Sequence, residues 1–129
     1  MEKWNELNPQ EKKVLVRFYK DEAFKDNDWN IRISAYRYFG FTEKAFKDND
    51  YDIRLSAYRS LGFTEEALND DNYGIRLEAY RSLGFTEEAL RDDSWLIRDE
   101  AIIYLNHMKT KKVTIELTQD QLDKIKHLI

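Results

Sequence analysis

Apolar and polar positions recur along this chain with a period of 22 residues. Four segments align without gaps: AFKDNDWNIRISAYRYFGFTEK (23–44), AFKDNDYDIRLSAYRSLGFTEE (45–66), ALNDDNYGIRLEAYRSLGFTEE (67–88) and ALRDDSWLIRDEAIIYLNHMKT (89–110). A fixed period of this length marks one structural unit stacked on copies of itself, each touching only its neighbours. The pattern inside a unit predicts two helices. The sixth residue is Asp28, Asp50, Asn72 or Ser94, all good N-caps. The eighteenth is Gly40, Gly62, Gly84 or Asn106, residues that tolerate positive φ after a helix. Between them lie about three helical turns. A shorter helix follows, with Thr42, Thr64 and Thr86 as caps and Glu43, Glu65 and Glu87 in its first turn. Phe41–Phe46, Phe63–Leu68 and Phe85–Leu90 have the spacing of hydrophobic staples.

On a helical wheel the longer helix of the second copy spreads Ile53, Ala57, Leu61, Tyr58, Tyr51 and Leu55 over roughly 200°. That width suits a helix packed between the units before and behind it. Trp29 and Trp95 fall on the same arc, which predicts core. So do Arg32, Arg54, Arg76 and Arg98, one in every copy. A buried guanidinium stays charged and needs a partner. Asp26, Asp48, Asp70 and Asp92, six residues earlier, are equally regular. Together they predict an Asp–Arg ladder, either within repeats or between neighbours. A row of arginines gripping phosphates or carboxylates is the functional counterpart.

The residues D-x-D-W-x-I-R-x-x-A and D-D-x-W-x-I-R-x-x-A resemble leucine-rich repeat variant units, which are HEAT-like in style. The likeness covers residues 23–110 and lies in Asp26, Trp29, Ile31, Arg32 and Ala35 and their counterparts. The period is shorter than that family's, and the proline usual before the aromatic is missing. The EAYRSLGFTEEAL block is also similar to short HEAT-like proteins of bacteria and phages. The resemblance implies a right-handed α-solenoid of alternating short, often 3₁₀, and longer helices that binds macromolecules. It transfers no catalytic residue.

The flanks predict caps. Asn8-Pro9-Gln10-Glu11 reads as an N-cap, a proline at N1 and a reciprocal acid at N3. The capping helix of residues 1–22 would present Val14, Leu15, Phe18 and Tyr19, with Trp4 and Leu7 folding back onto it. In the fourth copy, positions polar elsewhere become Leu96, Ile103 and Tyr104 and call for a cover. Residues 111–129 are the candidate. Val113, Ile115 and Leu117 alternate as in a strand. Thr118 and Gln121 form a capping box for a last helix carrying Leu122, Ile125 and Ile129. Such a strand would dock on the fourth repeat or pair with a second copy through residues 112–117. A monomer is the expectation, with the homodimer as its rival. The expected class is all-α: about four two-helix repeats, an N-terminal capping helix and a short C-terminal strand-helix tail.

Composition narrows the chemistry. The chain has 129 residues and no cysteine, which excludes disulfides, thiol nucleophiles and Cys-bound metals. No apolar run has the length of a membrane span, and the first residues lack the apolar stretch of a secretion signal, so a cytoplasmic protein is expected. Net charge is −4, and the repeats hold 12 basic against 17 acidic residues, which disfavours a phosphate-binding stripe. His107 and His127 have no metal spacing. Asp48-x-Asp50-x-Asp52 imitates half an EF-hand loop, but Ile53 stands at the required glycine and Arg59 at the bidentate glutamate. No cofactor and no catalytic set is expected.

The outer face of the longer helices carries Arg37, Arg59 and Arg81 at equal intervals beside Asp52 and Glu78. This ridge reads as a solvated face with local ion pairs, or as a contact strip, since arginine is frequent in binding hot spots. The expected function is therefore non-enzymatic: binding of an unidentified protein through a repeat face, as adaptor or inhibitor. The alternative is a nucleic-acid-associated protein using the arginine ridge, dimeric through its tail.

Overall fold

A computed structural model describes the backbone of residues 3–128 and, in the last helix, the side chains through 111 together with those of 120, 121, 123 and 124. Every element among the described residues is helical. The described residues form six α-helices, α1 (Pro9–Leu15), α2 (Lys20–Phe24), α3 (Trp29–Phe39), α4 (Tyr51–Leu61), α5 (Tyr73–Leu83) and α6 (Trp95–Leu128), with 3₁₀ turns between all of them except α2 and α3 and one more ahead of α1. The turns of the repeats are Glu43–Lys47, Glu65–Asn69 and Glu87–Arg91; two more, Trp4–Glu6 and Val16–Phe18, lie in the N-terminal segment. The chain divides into two compact units at Ala67/Leu68, inside a 3₁₀ turn.

Caps define the long helices. The side chain of Asp28 accepts from the amide of Asn30, that of Asp50 from Asp52 and Ile53, and that of Asn72 from Gly74 and Ile75. The threonines act differently from expectation. Thr42 and Thr86 are extended at the N-cap, but no side-chain hydrogen bond caps either turn. The carbonyls of Thr42, Thr64 and Thr86 instead accept from Ala45, Ala67 and Ala89, closing tight i→i+3 rings.

Glycine ends α3, α4 and α5. Gly40, Gly62 and Gly84 have φ of 99°, 106° and 103° with ψ near-extended, a combination that residues with a Cβ scarcely adopt. The reversal lays the next phenylalanine on the tyrosine of the helix just finished. Tyr36–Phe41, Tyr58–Phe63 and Tyr80–Phe85 are stacked with centroids 5.5, 5.6 and 5.5 Å apart. These pairings, with Phe46 on Tyr58 at 4.3 Å, are where the rings expected to act as staples go.

Asn106 does not stop its helix. α6 runs unbroken past it and through residues 113–117, so the C-terminal strand is corrected to helix. The stretch Asn106–Lys112 holds no glycine or proline, and a continuing helix satisfies each amide internally, whereas a lone strand needs a partner. No helix begins at Thr118 either. The side chains at 112–117, considered for pairing two copies, and Leu122, Ile125 and Ile129 lie outside the described residues.

The first unit holds two cores. Trp4, Leu7, Val16, Ala23, Ile31 and Ala35 form one, with Leu15 and Tyr19 against it. Val14 and Phe18, expected inside, are exposed, because the chain tightens to 3₁₀ after Leu15 and turns Val16 inward instead. Ile33, Tyr36, Ala45, Ile53 and Ala57 form the second core. Leu77, Tyr80, Ala89, Ile97 and Ala101 repeat that arrangement in the second unit. Alanine is the third residue of each repeat's 3₁₀ turn (Ala45, Ala67, Ala89) and recurs mid-helix (Ala35, Ala57, Ala79, Ala101), fully buried in every case, where a side chain no larger than a methyl lets the backbones approach closely.

Replacing Gly40 by alanine tests the glycine stop. A Cβ there meets nothing within 4 Å, so any loss comes from backbone conformation alone. Denaturant unfolding should show a destabilisation of about 1–3 kcal/mol; an unchanged midpoint would reject the positive-φ stop.

Candidate functional site

The repeat arginines and aspartates meet in a fixed pattern. Arg32 donates from Nε and Nη2 to the two carboxylate oxygens of Asp48, at 3.0 and 2.9 Å. Its Nη1 donates to the carbonyls of Asp26 and Asn27, at 2.8 and 3.0 Å. Arg76 does the same with Asp92 (both 3.0 Å) and with the carbonyls of Asp70 and Asp71. The carboxylate thus comes from the following repeat, sixteen residues on, and the carbonyl from the arginine's own. Arg54 likewise grips the carbonyls of Asp48 and Asn49. Each carboxylate is itself oriented by the amide two residues ahead: Asp26 by Asp28, Asp48 by Asp50, Asp70 by Asn72 and Asp92 by Ser94. Of the acids that imitate an EF-hand, Asp48 is therefore spent on Arg32 and Asp50 on the start of α4.

Sixteen residues before Asp26 stands Gln10 instead of an arginine, and the N-terminal segment supplies substitutes. The Trp4 indole donates to Asp26 Oδ2 at 2.8 Å and Lys12 Nζ to the same oxygen at 2.7 Å. Lys12 also lies over the Trp4 ring, 5.2 Å from its centroid.

Side-chain exposure is 14% for Arg32 and 9% for Asp48, and 15% and 8% for Arg76 and Asp92, so both pairs are largely removed from water. Burial pushes the Asp92 carboxyl up. The hydrogen bonds from Arg76 and the Ser94 amide, with the charges of Arg76 and Arg98, outweigh it and hold the group below the ordinary aspartate value. Asp26 is lowered similarly: burial opposes, while Lys12, the Asp28 amide and Trp4 prevail. The hydrogen bonds to Asp48 and Asp92 raise Arg32 and Arg76 against the opposing effect of burial.

The outer ridge is less available than its sequence suggests. Arg81 is held by Glu100 of the next repeat through three hydrogen bonds of 2.8–3.1 Å. Arg37 and Arg59 are exposed, while Asp52 and Glu78 are half-buried. A guanidinium already gripped by its own chain offers little charge to a phosphate.

The wheel misplaced the aromatic that opens each long helix. Trp29, Tyr51, Tyr73 and Trp95 are 38%, 49%, 55% and 66% exposed, not core. Leu61 is also half-exposed. The signal was the adjacent N-cap. A residue at the first helical position projects its Cβ back toward the N-terminus, beyond the layer where Ile31, Ala35 and Tyr36 pack, whatever its angle on the wheel. Tyr73 and Trp95 together line a cleft of about 430 Å³ with Arg76, Asp93, Ser94 and Leu96.

Among the described residues no group of His, Asp and Glu is arranged to hold a metal ion, and no helix is long and apolar enough to cross a membrane. No protein-family model, curated protein or solved structure matches the chain.

Two outcomes check the clamps. Arg76→Ala leaves Asp92 short of its charge partner and should cost about 3 kcal/mol, the lower end for a buried pair, in denaturant unfolding. Because Asp26 and Asp92 are depressed in the folded state, their contribution is present above the unfolded value near 4 and is lost as pH falls through the folded value. Stability should therefore decline below about pH 4, and Asp92→Asn should flatten that decline; identical acid profiles for both proteins would contradict the assignment.

Proposed function

We propose that this chain is a non-enzymatic helical-repeat protein that captures a partner protein through a face of its repeats, as an adaptor or inhibitor. We infer further that its repeats of leucine-rich repeat variant or HEAT-like type continue one another as a right-handed α-solenoid. The shared 22-residue period and the recurrence of the same clamp in both units support that architecture.

The observation that carries the binding reading is the aromatic at the first position of each long helix. Tryptophan and tyrosine dominate binding hot spots, because they bury much surface while losing little side-chain entropy. A fold that needed them only for stability would cover them. Here all four are partly solvated, and they recur at the register where a partner would meet successive repeats alike. Non-enzymatic action is supported by how the regular acids are used: Asp26, Asp48 and Asp92 are engaged by cations and backbone amides. A nucleic-acid partner is disfavoured by the acidity of the repeats and by the hold of Glu100 on Arg81.

The test compares the tagged chain with a Tyr73→Ala/Trp95→Ala double variant as bait in an extract of its native cell. The substitutions should change stability by no more than about 0.5 kcal/mol each, as checked by thermal unfolding. A protein captured by the parent should be depleted at least about tenfold from the variant. Equal capture would overturn the role given to this face.

A further inference from the structure

Arg98 repeats the posture of Arg32 and Arg76 without their carboxylate. Its Nη1 donates to the carbonyl of Asp92, as Arg32 does to Asp26 and Arg76 to Asp70. In those two arginines the Nε and Nη2 edge grips the aspartate sixteen residues on. Sixteen residues after Arg98 stands Thr114; among the described residues no ion pair holds Arg98, and the Asp92 carboxylate, on which its charge acts, is bonded through both oxygens to Arg76. The guanidinium cannot shed its charge, and one carbonyl, that of Asp92, anchors its fork where Arg32 and Arg76 each have two.

The surroundings match a docking surface. Ile102 occupies the repeat position of Tyr36 and Tyr80, which are 3% exposed under the next repeat; Ile102 is 48% exposed and Ile103 68%. One substitution sets this face apart. Where Ile33 and Leu77 are buried against the following repeat, the fourth copy has Asp99, which is exposed. Another repeat of this chain would seal that acid against apolar side chains, at a high desolvation cost. A second copy is also poorly equipped, because its Asp26 is held by Lys12 and Trp4, its Asp48 by Arg32 and its Asp92 by Arg76.

We propose that Arg98 is a preformed carboxylate-binding site for an acidic segment of a different protein. That segment presents an aspartate to the Nε and Nη2 edge, in the geometry of Asp48 on Arg32, with apolar side chains over Ile102 and a cationic or polar donor opposite Asp99. The inference rests on the protein-binding reading and gives it a site and a partner chemistry. A preoriented bidentate arginine keeps the ordering cost of such a contact small.

The probe is a fluorescein-labelled peptide copying residues 45–52, which carries the Asp48 carboxylate, the cation of Lys47 and the ring of Phe46 but not the apolar helix face of Ile53 and Ala57, titrated onto the full chain by fluorescence anisotropy. Binding should weaken at least about tenfold with Arg98→Gln, by a smaller factor with Arg98→Lys, and tighten with Asp99→Leu. A peptide carrying Asp48→Asn should bind the parent as weakly as the parent peptide binds Arg98→Gln, and lose nothing more on that variant. Circular dichroism melts identify any variant that has lost its fold, and the Arg98→Lys and Asp99→Leu arms then decide. No binding at millimolar chain, or equal binding by the parent and Arg98→Gln, overturns the proposal. Either result leaves the capture experiment on Tyr73 and Trp95 to stand or fall by itself.

Discussion

A charged guanidinium held between two repeats is the constraint on which the rest of the structure depends. It cannot be neutralised, so every copy must bring it a carboxylate, a set of carbonyls, or both. Arg32 and Arg76 receive both, and the two acceptors sit on different repeats. One side chain therefore fixes the entry of its own helix and the placement of the next turn. The apolar contacts around it, Ile33 and Tyr36 against Ala45, Ile53 and Ala57, are non-directional and supply cohesion without register. The bidentate pair supplies the register.

The same requirement explains the N-terminal segment. The first copy has an aspartate whose counterparts in the second and fourth copies face an arginine, and a lysine and an indole take the guanidinium's place. Trp4 serves two purposes: its ring fills the first core and its N–H satisfies Asp26. A cap built this way is chemical as well as steric, since covering the apolar end alone would leave a carboxylate unpaired.

Much of this was legible in the residues. The period, the aspartate and asparagine caps, the capping box at Asn8 and the buried positions of Ile31, Ile53, Ile75 and Ile97 follow from local chemistry repeated four times. What escaped depends on geometry that a wheel or an alternation pattern omits. Trp29 and Trp95 share an angle with core residues but stand at the helix entrance, one level outside the packed layer. The tail alternates like a strand at Val113, Ile115 and Leu117, yet period two is weak evidence when no turn precedes it to release the chain from α6. The Asp–Arg pairing was visible as a need. Its sixteen-residue span was not, because the folded distance between repeats is not written in either residue.

That span bears on how the polypeptide is made. A ribosome delivers Arg32 before Asp48 and Arg76 before Asp92, so each cation waits hydrated until about one further module has emerged. Trp4 and Lys12, by contrast, are already outside when Asp26 arrives. Assembly can thus proceed in short-range steps, the kind of contact that speeds folding, with the second module completing the first and the fourth completing the third.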